Sequence, residues 1–252
     1  MRPPEGYDGV EVGTNRAFAL PVASDWVGSA LVSGVTLHDW AAGLDGSRVF
    51  SGRGDVFAFP SPPDPDEWWV VRHYRRGGAI ARMLEDRYVL RGPTRPIVET
   101  TAVLAARREG ISTPEVIAAA VYPAGRFYRA DLVTRLVLDA RNLAEAVFGP
   151  TSSEDRQSAL SLAGSLMRDL ESAGILHVDF NAANILIQNR AGMERAWVLD
   201  LDRAELFPAG GLPRGVMRRR LERSLRKFER AHGRPLTHED WSALRSGYQA
   251  GT

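Results

Sequence analysis

The hydrophobic positions follow a strand period early in the chain and a helical one later. Asp55 to Phe59 and Trp68 to Tyr74 are short runs rich in Val, Phe and Trp on either side of the breaker-rich SPPDPDE, which predicts an antiparallel hairpin with a longer loop. Arg87 to Arg91 reads as a further strand. After GPTRP, Ile97 to Arg108 places Val98, Ala102, Leu104 and Ala105 on one helical face ended by Gly110. Val116 to Tyr122 and Phe127 to Leu138 predict two more strands around the turn PAGR. Beyond Asp139 the period becomes mainly helical, with a helix over Glu154 to Ser172 closed by Gly174. Residues 1 to 45 carry no sustained period and are expected to be an N-terminal extension with a short strand or helix. The expected fold class is α+β, with a strand-rich lobe over 46–134, a helix-rich lobe over 135–252 and a site between them.

Composition narrows the chemistry more than the fold. The chain has 252 residues, 44% hydrophobic and 25% charged, as in an ordinary globular protein that buries roughly 70 to 75% of its unfolded surface. With no cysteine, thiol nucleophiles, disulfides, thiolate zinc sites and iron-sulfur clusters are excluded. The N-terminal MRPPEGYDGV lacks an apolar stretch of signal-peptide length, and no window approaches a membrane span, so the expected location is cytoplasmic.

The net charge of +1 conceals an uneven distribution: of 32 basic residues only Lys227 is a lysine. Arg214 to Arg234 holds nine Arg or Lys against Glu222 and Glu229, while Met217, Leu221, Leu225 and Phe228 recur at helical spacing. This predicts an amphipathic helix with a cationic outer face, suited to phosphates or an anionic membrane surface or, alternatively, simply solvated.

The densest chemistry lies in ILHVDFNAANILI, where His177, Asp179, Asn181 and Asn184 stand among apolar neighbours. Ile185 to Gln188 and Ala196 to Leu199, joined by the turn NRAGME, predict a hairpin that returns Asp200 to the neighbourhood of Asn184. Paired positions on neighbouring strands lie about 4.5 to 5.5 Å apart, so Asn184 and Asp200 could offer oxygens to one Mg²⁺. Asp179 would then stand beside the metal and orient an attacking hydroxyl, the arrangement that phosphoryl transfer needs. His177 reads as a loop-fixing residue, and Trp68, Trp69 and Trp197 as packing residues.

The spacing H-x-D-x-x-x-x-N at His177, Asp179 and Asn184, followed by D-L-D at Asp200 to Asp202, resembles the protein-kinase-like enzymes. Leu201 and Asp202 replace the Phe and Gly of the protein-kinase triplet, which points to a small-molecule or lipid branch. Six segments in order carry a closer resemblance: VVRHYRRGG from Val70, DRYVLRGPTR from Asp86, YRADLVT from Tyr128, LHVDFNAANILI from Leu176, VLDLDRAEL from Val198 and RRRLERSLRKF from Arg218. Together they resemble the 3-deoxy-D-manno-octulosonic acid (Kdo) kinases, relatives of the lipopolysaccharide core heptose kinases, over roughly residues 47 to 248.

The resemblance implies a bilobal protein-kinase-like fold with a β-rich N-lobe and a helical C-lobe. It makes Asp179 the catalytic acidic residue and Asn184 and Asp200 the metal ligands, with ATP and Mg²⁺ as cofactors. It places the strand cation for the nucleotide phosphates at Arg72, its helix partner at Glu99, a glycine-rich phosphate cover at Gly52 and Gly54, and the inter-lobe linker near 132–138. The implied reaction phosphorylates a hydroxyl of Kdo, the 4-hydroxyl, on a lipid A precursor, at the inner face of the inner membrane. An acceptor of that kind is anionic, so Arg75, Arg76 and the basic helix are expected to meet its carboxylate and phosphate groups or the anionic membrane surface, as a peripheral protein. Alternatives are a kinase of the same fold acting on another sugar, small molecule or protein, and a non-catalytic module that binds anionic lipid or nucleotide. Nucleic acid is not an expected partner; such binding would show steep salt dependence without need of ATP.

Overall fold

The computed structural model describes residues 1–50, 55–75, 86–208 and 210–250. Gly52, Gly54 and Arg76 lie outside the described residues, so the expected phosphate cover and half of the expected arginine pair are not described. The chain divides into two compact units, Met1–Thr101 with Glu115–Leu136, and Ala102–Pro114 with Val137–Thr252.

The first unit is organised by an antiparallel sheet. Its strands are β1 (Asp8–Val12), β2 (Asn15–Ala19), β3 (Arg48–Phe50), β4 (Val56–Pro60), β5 (Trp68–His73), β6 (Tyr88–Val89), β7 (Val116–Ala124) and β8 (Phe127–Arg135). The order is β1-β2-β7-β8-β5-β4-β3, with β6 also on β8. Residues 1–45, expected as an extension, supply β1, β2 and the helices α1 (Ser24–Val32) and α2 (Leu37–Ala42) to this unit. Their strands pair through the register Arg16↔Val121 to Ala19↔Ala118. The mixture of Gly, Ala and Val in these residues hides that role, because five-residue strands with small apolar side chains leave little periodicity to read.

Strand alternation sends Trp69 and Val71 of β5 to one face of the sheet, where they join Val27, Leu31, Leu37, Phe59 and Val133 in a core. Trp26, partly buried, packs against this core, with ring centroids 5.3 Å from Trp40, 5.6 Å from Phe59 and 5.4 Å from Trp69. The even-numbered residues of β5 face the other way. Trp68 there lies under the Arg48 guanidinium at 4.1 Å, a packing role like that of Trp69. Helix α3 (Arg95–Arg108) follows β6, two residues before the expected start because Pro96 is compatible with a first helical turn.

The second unit is built on α4 (Leu143–Phe148), α5 (Ser153–Ser172), α6 (Val216–His232) and α7 (His238–Gln249). Between α5 and α6 lie β10 (Ile175–Leu176), β11 (Ile185–Arg190), β12 (Met193–Val198) and β13 (Glu205–Leu206). β11 pairs with β12 and with β9 (Ala140–Asn142), and β10 pairs with β13. Ser152 caps α5 by accepting from the Asp155 N–H at 3.0 Å, and Thr237 and Asp240 form a reciprocal capping box at α7. Helices α5 and α7 touch through glycines. A Cβ at Gly164 would lie 2.2 Å from the Leu244 carbonyl oxygen, and one at Gly247 would lie 1.9 Å from that of Ser161. The buried Arg156–Asp240 pair, at 2.9 Å, ties the same two helices.

Candidate active site

The loop that carries Asp179 is shaped by how α5 ends. Gly174, at φ +70, turns the chain out of the helix where a Cβ would lie 2.4 Å from the Phe207 carbonyl oxygen. The Phe207 N–H donates to the Gly174 carbonyl at 2.8 Å, which closes β10 against β13. His177 follows, buried at 1% exposure. Its Nδ1 accepts from the Asp179 N–H at 3.2 Å and its Nε2 donates to the Leu199 carbonyl at 2.9 Å. The ring therefore carries its proton on Nε2 and joins the loop to the end of the hairpin. Burial lowers its pKa, and a contribution from Arg220 adds to this, against the raising pull of the Leu199 carbonyl and of Asp200 and Asp179. His177 is a neutral tie.

Two asparagines fix the Asp179 backbone. Asn181 Nδ2 and Asn184 Nδ2 both donate to its carbonyl oxygen, at 2.8 and 3.0 Å. Asn181 Oδ1 accepts from the Ala183 N–H at 2.9 Å, opening a short 3-10 turn over Ala182–Asn184. Phe180 is fully buried while Asp179 is half-buried, and its carboxylate has no hydrogen bond or ion pair among the described residues.

The hairpin forms as expected in outline, over Ile185–Arg190 and Met193–Val198, in a register that differs by one position from the sequence reading. Ile185 pairs with Val198, and the Leu199 N–H donates to the Asn184 carbonyl at 2.9 Å, so Leu199 rather than Asp200 stands opposite Asn184. The chain then turns sharply: Asp200 has φ +60, an uncommon conformation for a residue with a side chain, and Leu201 is fully buried beyond it. The offset arises at Arg195, which the expected strand bounds leave between the turn and the second strand but which pairs with Gln188. Asp200 still adjoins the loop, since it follows Leu199, whose carbonyl oxygen accepts from His177 Nε2 at 2.9 Å.

These groups fit magnesium chemistry. With Asn184 Nδ2 engaged at the Asp179 carbonyl, its Oδ1 remains as a hard oxygen donor, and Asp200 supplies a carboxylate one residue beyond the Leu199 that pairs with Asn184. No cluster of three or more His, Asp or Glu side chains able to hold a metal occurs among the described residues. Mg²⁺ bound with substrate phosphates typically takes only one or two protein carboxylates and needs no such cage.

Within the first unit, β5 and α3 bring together Arg72, the expected strand cation, and Glu99, its expected helix partner, as an ion pair. Arg72 is paired with Leu132 of β8 in the sheet, and its Nη2 donates to Glu99 Oε2 across 27 residues of sequence. Glu99 is 3% exposed. Tyr74, which sequence reasoning missed, donates its hydroxyl to the same oxygen at 2.5 Å and lies under the Arg72 guanidinium at 4.6 Å. The signal was its position two residues beyond Arg72 on the same strand face. Arg75 is exposed at the end of this strand.

Helix α6, expected over 214–234, is tied to the Asp179 loop: the Ala182 N–H donates to Ser224 Oγ at 3.2 Å. Met217, Leu221 and Leu225 form its buried side. At 100° per residue, Arg220 and Lys227 lie on the flank with Ser224, while Arg219, Arg223, Arg226 and Arg230 face outward with Glu222 at their edge. No helix among the described residues is long and apolar enough to cross a membrane.

Comparison with known proteins follows the same outline. Residues 61–248 match the model of the Lipopolysaccharide kinase (Kdo/WaaP) family. A 3-deoxy-D-manno-octulosonic acid kinase of Vibrio vulnificus (strain YJ016) is 27% identical over 232 residues, covering 90% of this chain and 93% of that protein. Another, from Actinobacillus succinogenes, is 33% identical over 183 residues, or 71% of this chain and 75% of that protein. Among solved structures, WaaP in complex with acyl carrier protein superposes with a TM-score of 0.56 at 17% identity, covering 89% of this chain and 86% of WaaP. That likeness shows a kinase-like α+β fold.

Proposed function

The chain belongs to the lipopolysaccharide kinase (Kdo/WaaP) family and is a kinase of lipopolysaccharide biosynthesis, and on that premise we propose that it phosphorylates a Kdo hydroxyl, the 4-hydroxyl, on a lipid A precursor with ATP. In that step the acceptor oxygen bonds to the γ-phosphorus as the bond to the β,γ-bridging oxygen breaks. ADP leaves, and the hydroxyl proton passes to the Asp179 carboxylate.

The observation that carries the reading is the immobilised backbone of Asp179, with both asparagine side chains on its carbonyl oxygen at 2.8 and 3.0 Å. A loop held this way positions a carboxylate before substrate arrives, which is most of what the protein must contribute to phosphoryl transfer. Asn184 and Asp200 would hold Mg²⁺, which when bound neutralises charge on the nucleotide phosphates. Arg72, oriented by Glu99 and Tyr74, would offer a planar cation to those phosphates.

An acceptor made of a sugar acid on a phosphorylated lipid presents several anions. Arg75 and the Arg220–Lys227 flank of α6, anchored to the Asp179 loop through Ser224, are the groups we assign to it, and Arg76 is assigned with them from the sequence. The outward face of Arg219, Arg223, Arg226 and Arg230 suits an anionic membrane surface and a peripheral position on the inner membrane. The test is an acceptor series with purified protein: Kdo-lipid A should gain one phosphoryl group, whereas lipid A without Kdo should gain none. Transfer to neutral sugars at equal rate would overturn the assignment.

A further inference from the structure

The face of β5 opposite Arg72 and Tyr74 carries a second polar network, which no step above uses. His73 is 10% exposed by its side chain and lies between two carboxylates. Its Nδ1 is 2.5 Å from Asp131 Oδ1 and its Nε2 is 3.0 Å from Asp86 Oδ2. Asp131 is fully buried, and its other oxygen accepts from the Tyr122 hydroxyl at 2.7 Å and from the His38 N–H at 2.9 Å. Tyr122 in turn accepts from the Leu37 N–H at 2.8 Å. Each contact of the His73 ring with an acidic oxygen asks for a proton on the ring nitrogen, so this geometry is that of an imidazolium.

Resting on the kinase reading, we propose that the His73 imidazolium is a positioning residue for the nucleotide grip. By binding Asp131 and Asp86 on one face of β5 it holds Arg72 and Tyr74 against Glu99 on the other, and loss of its proton weakens nucleotide binding. The three residues are consecutive on β5 and its end, so any rotation of the strand that frees His73 also turns its two neighbours. The groups facing this centre among the described residues are Asp131 and Arg129 from β8, Asp86, Tyr122 from β7, and His38 and Asp39 from α2. Arg129 Nη1 is 3.9 Å from Asp86, and the His38 ring is 5.7 Å from that of His73. Tyr122 cannot compete as an anion, because burial and the Asp131 charge push its pKa well above 10.0. Burial opposes charge on His73, but the hydrogen bonds and charges of Asp131 and Asp86 outweigh it and its pKa lies above 6.5. Above that pKa the ring keeps one proton. Asp131, being fully buried, retains it, and Asp86, whose side chain is 25% exposed, is released.

The test is titration of the full chain with Mg-ADP across pH 6 to 9, read by calorimetry, for wild type, His73→Gln and Asp86→Asn. The wild-type Kd should rise three-fold or more through the His73 ionisation; His73→Gln should show the weakened Kd at every pH, and Asp86→Asn should move the midpoint lower. A Kd profile in His73→Gln that parallels wild type would overturn the proposal. Should His73→Gln fail to fold, an unshifted midpoint in Asp86→Asn does so instead. A wild type that binds no nucleotide at any pH removes the kinase reading and this proposal with it, an outcome distinct from a pH profile that ignores His73.

Discussion

Asn184 donates through Nδ2 to the carbonyl oxygen of Asp179 at 3.0 Å, so the amide that fixes the acidic residue leaves its own oxygen for another ligand. Replacing Asn184 with Ala removes both contributions. We expect a stability loss of about 0.5 to 1.5 kcal/mol from the hydrogen bond, together with a higher Mg²⁺ concentration at half-maximal activity. Denaturant unfolding and a Mg²⁺ titration of transfer rate check the two separately; an unchanged Mg²⁺ requirement would remove Asn184 from the metal site.

Glu99 is almost fully buried between Arg72 and Tyr74. Changing Tyr74 to Phe removes one hydrogen bond to a carboxylate and should cost about 1.5 to 3 kcal/mol. Changing Glu99 to Gln should raise the nucleotide KM ten-fold or more, because the Arg72 fork loses its orienting charge while the strand stays in place. Steady-state kinetics in ATP distinguish this from a defect on the acceptor side, where KM should not move.

Two histidines give opposite pH slopes to stability. His73 has a folded pKa raised above 6.5, so its stabilisation is complete below 6.5 and disappears as pH rises through the folded value. His177 has a folded pKa lowered by burial, so its contribution is present above 6.5 and is lost as pH falls below that toward the folded value. Stability measured by denaturant from pH 5 to 9 should therefore lose its alkaline decline in His73→Gln and its acid decline in His177→Gln. The same slopes in both variants as in wild type would contradict the assignment.

Helix packing in the second unit supplies a fourth expectation. Gly164→Ala or Gly247→Ala places a Cβ within 2.2 Å or 1.9 Å of a main-chain oxygen that has no freedom to rotate away. Either substitution should destabilise by about 3 kcal/mol or more, by forcing α5 and α7 apart. A Tm within two or three degrees of wild type would show that these helices yield easily.

The parts of this protein legible in its sequence were those with a strong local pattern. The alternation of Trp68 to Tyr74, the capped period of α5 and the amphipathic run of α6 each emerge within a few residues of their predicted bounds. The ordered motifs also pointed to Arg72 and Glu99, which the fold joins across 27 residues. Less legible were features that depend on partners far away in sequence. Residues 1–45 become part of the sheet only because Arg16 to Ala19 find Val121 to Ala118, and nothing local in those residues announces the pairing. Asp131, within the motif YRADLVT, is fully buried with donors from Tyr122, His73 and His38 directed at it, and all three lie outside that motif. The one-residue offset that sets Leu199 opposite Asn184 follows from Arg195 joining the ladder opposite Gln188, a polar pair that a hydrophobic pattern does not record.

In the proposed reaction Asp179 takes the proton of a Kdo hydroxyl during phosphoryl transfer from ATP. This role is tested most directly by mass-spectrometric transfer to Kdo-lipid A in detergent, with Mg²⁺ and ATP, using wild type and Asp179→Asn. Wild type should add one phosphoryl group, and the variant should do so at a rate about 10² to 10⁴ lower, with nucleotide affinity and Tm preserved. Transfer at the wild-type rate by a folded Asp179→Asn would contradict it.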